Sequence, residues 1–204
     1  MTQDSFFEQL KHPNPHMRTR AMWEITESRD EKTIPRLMSA LDDEDVVYRR
    51  AAVKTLGMIG PDTVPFVVES LANSDNVTVR GSCAKALAQI ALNYPDEPFP
   101  QAGLEGLKKS LHDANPVVNI ASAMALGEVG EAAQDILVEA LNTTDNVALA
   151  VSIVNALASV GSDSATQLLA ELSQDESLDG YVKETAISAL SRLEMVRNNQ
   201  RPTP

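Results

Sequence analysis

The amino-acid sequence predicts an all-α protein, a right-handed α-solenoid of about five to six helical hairpins. Three observations lead to this fold class. The phrase "VRGSCAKALAQI" at 79–90 has relatives along the whole chain, and an apolar helical segment followed by a turn rich in Asp and Asn precedes most of them. Apolar residues make up 43% of the chain but aromatic residues only 4%, which favours closely packed helices over a β-sandwich.

The second helix of each hairpin carries the clearest repeat. Its copies are "MRTRAMWEIT" (17–26), "YRRAAVKTLGMIG" (48–60), "VRGSCAKALAQI" (79–90), "VNIASAMALGEVG" (118–130), "LAVSIVNALASVG" (149–161) and "VKETAISALSRLE" (182–194). The residue that closes the apolar pattern recurs after 31, 31, 39, 31 and 33 residues, at Ile25, Leu56, Leu87, Leu126, Leu157 and Leu190. The one long gap contains "NYPDEPFPQAG" at 93–103, which predicts an insert loop in an otherwise regular array.

The first helices show a matching regularity. Segments such as "TIPRLMSAL" (33–41) and "TVPFVVESL" (63–71) place apolar residues at helical spacing, and Pro35 and Pro65 lie in the first turn, where a missing N–H costs little. We therefore expect one solenoid over residues 1–204. Its repeats are expected at about 6–30, 33–60, 63–92, 103–130, 133–161 and 165–194, followed by a disordered tail at about 197–204.

Capping residues mark the ends of the predicted second helices. Asp and Asn in turns such as "DDED" and "NSDN" can cap the next helix through a side-chain oxygen. Gly60, Gly130 and Gly161 are expected to end three helices in the left-handed helical conformation. Because no single hairpin can bury its apolar face alone, stacking of neighbours would create the core.

The second-helix phrases resemble the HEAT-repeat superfamily. "VVYRRAAVKTLGMIG" and "VTVRGSCAKALAQI" carry the resemblance, with an acid and then an Arg or Lys before an "A-A/S-x-A-L" box. The short units and the wording "AVKTLGMIG…AMALGEVG" are similar to the phycobilisome-lyase-type HEAT proteins of cyanobacteria, which include phycobilin lyase subunits and a HEAT protein that partners an A-type iron–sulfur carrier. The resemblance covers roughly residues 6–194 and implies that the second helices line a concave surface.

One aligned column of the second helices is mostly basic, and we call it the basic column. It contains Arg18, Arg49, Arg80, Asn119, Ala150 and Lys183. The resemblance implies that its basic residues bridge turn acids of neighbouring units, which would form an Asp–Arg ladder. Ligand binding by this column is the alternative.

Five positions after the basic column, a column of mixed chemistry indicates an exposed face. It contains Trp23, Lys54, Lys85, Met124, Asn155 and Ser188. Residues four positions away lie on the same helical face. The candidate partner-binding groove therefore combines one tryptophan, a basic centre and an apolar strip, formed by Trp23, Arg50, Lys54, Met58, Lys85, Ile120, Met124 and Val151.

Structural alternatives remain open for these candidates. Trp23 would instead pack against Phe6 and Phe7 and close the end of the solenoid, and the two lysines would simply be solvated. The insert loop adds Tyr94 and Phe99, which either recognise a partner or clamp the loop over the long gap in the array.

Composition and motifs argue against several classes of protein. The net charge of −12 opposes broad binding to nucleic acid and so argues against a HEAT-like DNA glycosylase. The sequence contains no run of 18 apolar residues, so it gives no sign of membrane insertion. A single cysteine forms no internal disulfide and no signal-peptide pattern is evident, so we expect a cytoplasmic protein. We assign no catalytic residue and no metal ligand, because no His–Cys set or nucleophile motif is recognisable.

Cys83 is the one nucleophile that the sequence singles out. It shares its column with Ala21, Ala52, Ser122, Ile153 and Ala186, so the column is small or apolar in every copy. A buried free cysteine behaves as a small hydrophobe. Cys83 is therefore predicted to fill the core rather than to act as a nucleophile or cluster ligand.

Two functions remain in competition. The first is a non-catalytic scaffold or adaptor that binds another protein in the groove. The resemblance implies phycobiliprotein subunits, phycobilisome components or an A-type iron–sulfur carrier as partners, with no cofactor. The second is a subunit of a bilin lyase that attaches or removes a tetrapyrrole such as phycocyanobilin, in which case a bilin would be bound.

Overall fold

A computed structural model of the protein describes residues 2–199. Within that range the chain forms twelve α-helices and no strand, which follow one another as six hairpins of an α-solenoid. The predicted all-α solenoid is therefore confirmed. Among these helices, none has both the length and the apolar composition needed to cross a membrane.

The first helices of the hairpins are α1 (Gln3–Gln9), α3 (Thr33–Ser39), α5 (Val64–Asn73), α7 (Gln101–Ser110), α9 (Gln134–Thr143) and α11 (Asp163–Gln174). The second helices are α2 (Pro15–Glu27), α4 (Val46–Ile59), α6 (Val77–Asn93), α8 (Pro116–Val129), α10 (Val147–Val160) and α12 (Gly180–Asn199). Residues 197–199 of the predicted tail thus belong to α12, and 200–204 lie outside the described residues.

The chain divides into two compact units, Met1–Ser122 and Ala123–Pro204. In the first unit α2 packs on α4 and α4 on α6, while α5 packs on α6 and α7. In the second unit α12 packs on both α10 and α11. The residues that close the repeats, Ile25, Leu56, Leu87, Leu126 and Leu157, are fully buried, and each such burial contributes about 1.5–3 kcal/mol.

Every second helix begins after an Asp or Asn at the same aligned position. The side-chain Oδ1 of this residue accepts a hydrogen bond from a backbone N–H of the first turn, over 2.8 to 3.1 Å, at Asn14, Asp45, Asn76, Asn115, Asn146 and Asp179. These bonds satisfy donors that a helix N-terminus leaves without an intrahelical partner. The capping role predicted for the turn acids and amides is thus confirmed.

The basic column mainly holds the turn of its own hairpin. Its Nη1 donates to a backbone carbonyl six residues earlier, over 2.6 Å in Arg18 and Arg49 and 2.8 Å in Arg80. Arg80 also pairs with Asp113 of the next hairpin, with 2.7 Å between Nε and Oδ2. One pair of the expected Asp–Arg ladder is therefore present, at Arg80, whereas Arg18 and Arg49 donate to backbone carbonyls of their own turn.

Asn119 replaces the arginine in the fourth copy. Its Nδ2 keeps the bond to the turn carbonyl, that of Asp113, over 3.1 Å. Its Oδ1 is buried and has no donor among the residues that the structure describes. The shorter side chain thus preserves the turn but leaves one polar atom unsatisfied, which is a cost in stability.

The three glycines predicted to end the second helices, Gly60, Gly130 and Gly161, all have positive φ. Gly161 is left-handed helical, with φ 65° and ψ 9°. Gly60 has φ 86° and ψ −146°, so the prediction of a left-handed helical cap is wrong there. This region is open to glycine almost alone, and it directs the chain into the 3-10 turn Pro61–Thr63.

Small residues let the second helices approach one another closely. A Cβ added to Gly57 of α4 would lie 2.3 Å from the Cβ of Gln89 on α6. A Cβ added to Gly127 of α8 would lie 2.9 Å from the Cα of Ala156 on α10. These two glycines share the aligned position eight residues after the basic column, so one column sets the spacing of neighbouring second helices.

The insert between the third and fourth hairpins is partly helical. The α6 helix is 17 residues long, whereas α4, α8 and α10 have 14 each. Because α7 starts at Gln101, the irregular segment is 94–100 rather than the predicted 93–103. Of the three additional helical residues, 91–93, Ala91 is buried, whereas Leu92 and Asn93 are exposed.

We predict that Asp45→Ala lowers the free energy of unfolding by about 1 kcal/mol, because the first turn of α4 loses its cap. Urea unfolding followed by circular dichroism measures the change. Glu44→Ala is the matched control, since it removes the adjacent exposed charge but no cap, and it should change stability by less than about 0.5 kcal/mol. Equal losses in the two variants would contradict the capping role.

Candidate functional site

The second helices expose one aligned column to solvent, and we call it the second-helix face. Trp23 and Met124 are 57% and 61% exposed, Lys54, Lys85 and Ser188 are also exposed, and only Asn155 is half-buried. This is the column that the sequence predicts to be accessible. A tryptophan and a methionine with this exposure are typical of an interaction surface.

The buried columns on either side explain why this face is accessible. Two positions earlier, all six residues are fully buried: Ala21, Ala52, Cys83, Ser122, Ile153 and Ala186. One position later, the side chains of α4, α6, α8, α10 and α12 are buried too, at Thr55, Ala86, Ala125, Ala156 and Ala189. The helices are therefore held from both sides, and only the intervening column is free to vary in chemistry.

The first unit places three cations on this face. Arg50 and Lys54 are exposed and one turn apart on α4, and Lys85 occupies the equivalent position on α6. Residues one turn apart have Cβ atoms about 5–6 Å from each other, and packed helices lie about 8–10 Å apart. None of the three forms an ion pair within residues 2–199. Their charge is available to an anionic ligand.

Apolar side chains adjoin the face in each unit. Met58 and Ile120 are half-buried in the first unit, and exposed Met124 and half-buried Val151 belong to the second. All eight predicted groove residues are thus at least partly accessible. The structure describes each unit by itself, so their assembly into one groove stays a prediction.

Trp23 does not close the end of the solenoid. Phe6 and Phe7 are buried, and the Arg36 guanidinium lies 3.9 Å from the centroid of the Phe7 ring. Trp23 itself remains more than half exposed. This exposure favours the groove assignment of Trp23 over its burial in an N-terminal aromatic cap.

The two aromatic residues of the insert loop make intramolecular contacts. The Tyr94 hydroxyl donates to the carbonyl of Met58 over 2.7 Å, at the C-terminus of α4. Its ring covers Gly60, and the half-buried Phe99 ring packs over Gly103 at the start of α7. These contacts fit the clamp alternative. Sequence reasoning missed the Tyr94 partner, since a bond across 36 residues leaves no local signal.

A cleft of about 580 Å³ between α5 and α7 was not predicted. Val68, Leu71 and Gly106 contribute apolar surface, while Arg80 and Asp113 lie at one end. The Arg80 guanidinium holds the pKa of the Asp113 carboxyl below its usual range, and the two charges neutralise each other. The lining also contains Asp75, Glu105 and Lys109, so charges of both signs line the cleft and its formal net charge is −1.

The candidate nucleophile, Cys83, lies in the core. Burial raises the pKa of the Cys83 thiol to about 12, which keeps it protonated and unreactive at neutral pH. His12 accepts a hydrogen bond from the backbone N–H of Asn14 through Nδ1, over 3.0 Å. Across residues 2–199, no group of three or more His, Cys, Asp or Glu side chains is placed to hold a metal ion.

Six successive hairpins with one exposed column of mixed chemistry define a helical-repeat protein. Comparison with family models identifies the repeats as HEAT repeats over residues 4–92 and 104–191, and the chain belongs to this family. The resemblance to phycobilisome-lyase-type HEAT proteins is also confirmed by named relatives.

Two similar proteins come from cyanobacterial strains. Phycocyanin operon protein Z of Pseudanabaena tenuis (strain PCC 7409) is 55% identical over 201 residues, which cover 98% of this chain and 100% of that protein. Bilin biosynthesis protein CpeZ of Synechococcus sp. (strain WH8020) is 32% identical over 181 residues, which cover 86% of this chain and 97% of that protein. Both likenesses extend over nearly the full length of the relative.

Among solved structures, the complex of CpcE and CpcF of phycocyanin lyase from Nostoc sp. PCC7120 is similar with a TM-score of 0.52. The match covers 76% of this chain and 96% of that chain at 20% identity. At this identity the likeness supports the solenoid fold alone.

We predict that native Cys83 reacts with a thiol reagent far more slowly than the same residue in urea, because the thiol is buried and protonated. Labelling with a chromogenic disulfide at neutral pH measures both rates. Ser188→Cys provides an exposed control thiol in the same folded chain. Equal native rates for Cys83 and the control thiol would contradict the core assignment.

We predict that Tyr94→Phe lowers the free energy of unfolding by about 1 kcal/mol, since the carbonyl at the end of α4 loses its hydroxyl donor. Thermal or urea unfolding measures the loss. Tyr181→Phe is the control, because Tyr181 is 74% exposed. A Tyr94→Phe variant of unchanged stability would show that the loop is not a clamp.

Proposed function

We propose that this chain is a non-catalytic, protein-binding HEAT-repeat component of the attachment of bilins to phycobiliproteins. The observation that carries the proposal is the 32% identity over 86% of the chain to a protein named for bilin biosynthesis. The likeness to a phycocyanin operon protein supports the same setting. These names favour a phycobiliprotein subunit over an iron–sulfur carrier as the partner.

The chemistry of the second-helix face supports protein binding. Trp23 and Met124 are large apolar side chains of the kind enriched at the centre of protein interfaces. Arg50, Lys54 and Lys85 are unpaired cations in a chain whose net charge is −12. A partner surface with carboxylates around an apolar centre would complement this arrangement.

The same face supports a binding role rather than catalysis. Its ionisable groups in the first unit, Arg50, Lys54 and Lys85, orient and hold carboxylates as cations, and in their protonated form they are not nucleophiles. The candidate nucleophile Cys83 lies in the core. We therefore place the covalent chemistry of bilin attachment in another chain.

A second candidate function is direct binding of the bilin, as a lyase subunit would require. The observation that favours it is the proximity of three cations to Trp23 and Met58, because Arg and Lys can pair with the two propionates of a tetrapyrrole while apolar groups contact its rings. The two candidates use the same residues, so they differ only in the ligand.

We predict that the double variant Lys54→Glu/Lys85→Glu binds a purified phycobiliprotein subunit at least about tenfold more weakly, because two attractive charges become repulsive. Biolayer interferometry with the apo-subunit measures the affinity. Lys32→Glu/Lys109→Glu is the matched control, since it changes net charge equally at exposed positions on first-helix elements. Equal weakening in both double variants would reveal a general charge effect and contradict the face assignment.

Visible spectroscopy separates the two candidate functions. If the chain binds phycocyanobilin, mixing the two should shift the absorption band, and Lys54→Glu/Lys85→Glu should abolish the shift. A wild-type mixture without a shift removes the bilin-binding candidate. A wild-type chain that binds neither a phycobiliprotein subunit nor the bilin overturns the proposed function itself.

A further inference from the structure

The last second helix exposes a position that every other second helix buries. Four residues after the basic column, side chains are 0–8% exposed in five copies: Met22, Val53, Ala84, Ala123 and Val154. In the sixth copy the equivalent Ile187 is 50% exposed. Val154 lies on α10, which packs against α12, whereas no hairpin follows α12 within the described range. Within the described residues, α12 therefore exposes an apolar side chain in a column that the other second helices bury.

The first second helix, α2, has a charged residue where the other second helices have a small buried one. Six positions after the basic column, α4, α6, α8, α10 and α12 have small side chains that are buried. In α2 the equivalent residue is Glu24, which forms an exposed ion pair with Arg20 over 3.8 Å. Charged outer faces are typical of the terminal repeats that keep a solenoid from associating. The first hairpin thus has a charged residue in a column that is otherwise buried, whereas the last hairpin has the apolar Ile187 in such a column.

The open surface on α12 is a stripe of three residues at a spacing of four, and we call it the terminal stripe. It consists of Ile187, Ser191 and Met195, and its two apolar members are 50% and 60% exposed. Residues at this spacing lie along one helical face. We propose that the terminal stripe binds the terminal stripe of a second copy of this chain, which gives a two-fold dimer with antiparallel α12 helices.

The order of residues in the stripe supports a second copy as its occupant. The small Ser191 lies midway between two apolar residues, Ile187 and Met195. A two-fold axis at Ser191 therefore places Ile187 of each copy against Met195 of the other. A two-fold contact requires this kind of self-complementary patch. The small Ser191 meets Ser191 of the second copy on the axis and lets the helices approach closely.

The charges beside the stripe are compatible with the same arrangement. Glu184 and Glu194 are exposed and adjoin the stripe. With the axis at Ser191, Glu194 lies opposite Ser188 of the second copy, so the two acids do not face each other. A head-to-tail contact is disfavoured, because it would place the stripe against the charged pair Arg20 and Glu24 and would extend into an open filament.

Long-range charge predicts how the dimer responds to salt. Residues 123–204 contain four basic and 12 acidic residues, a net charge of −8. Bringing two such units together is opposed by repulsion that salt screens over about 8 Å at physiological ionic strength. Dimerisation through the terminal stripe is therefore expected to strengthen as salt is added, unlike binding of an acidic partner to Lys54 and Lys85. The dimer is independent of the proposed function.

Disulfide trapping of the full chain tests the geometry. Ser191→Cys should form a covalent dimer under mild oxidation at least about tenfold faster than Ser188→Cys, because the dimer raises the effective concentration of the paired thiols. Ser188 is exposed on the same helix but belongs to the second-helix face, and native Cys83 is buried. Equal rates for the two variants would overturn the proposal.

Sedimentation velocity tests the interface without a cross-link. We expect the wild-type chain to shift from monomer to dimer with rising concentration and salt, and Ile187→Glu to remain monomeric. Tyr181→Glu, which adds the same charge at a 74% exposed position of α12, should behave as the wild type. A wild-type chain that stays monomeric, or a Tyr181→Glu variant that dissociates equally, overturns the proposal. So does a chain that dimerises only after deletion of residues 200–204.

Discussion

The hydrogen bond from the first turn of each second helix to an Asp or Asn side chain is the interaction on which the repeat depends. It recurs at the same aligned position in all six hairpins, from Asn14 to Asp179. Because the side-chain oxygen determines where the second helix begins, it also determines which residue of that helix faces the core. The basic column reinforces the turn in three copies by binding a carbonyl, as Arg49 does.

With the start of each helix set, the columns acquire separate roles. The columns three, four and six positions after the basic column are buried in at least five copies, and the column five positions after it is exposed in five copies. Stability therefore constrains most positions, whereas Trp23, Lys54, Lys85 and Met124 differ without cost to the fold. We infer that the residues of this exposed column determine which partner is recognised. The terminal stripe of α12 arises differently, since its Ile187 belongs to a column that the other five second helices bury.

Much of this architecture was predictable because its causes are local or periodic. The turn caps, the burial of Cys83 and the exposure of Trp23 all follow from aligning the copies. The conformation of Gly60 was not predictable, since a glycine signal does not distinguish left-handed helix from other regions with positive φ. The bond of Tyr94 to the Met58 carbonyl and the cleft beside Gly106 depend on tertiary approach. The partner itself is not encoded in any motif of the chain.

The glycines at the contacts between second helices also affect the spacing of side chains on the exposed face. A methyl group at Gly57 would clash with Gln89, so this glycine determines how closely α4 approaches α6. The distance between the two helices in turn sets the separation of Lys54 from Lys85. An exchange among Gly, Ala and Ser in that one column would widen or narrow the distance between successive recognition side chains and leave every one of them unchanged. Substitutions at buried positions can thus change the affinity for a partner, although alanine scanning of the exposed face would not include them.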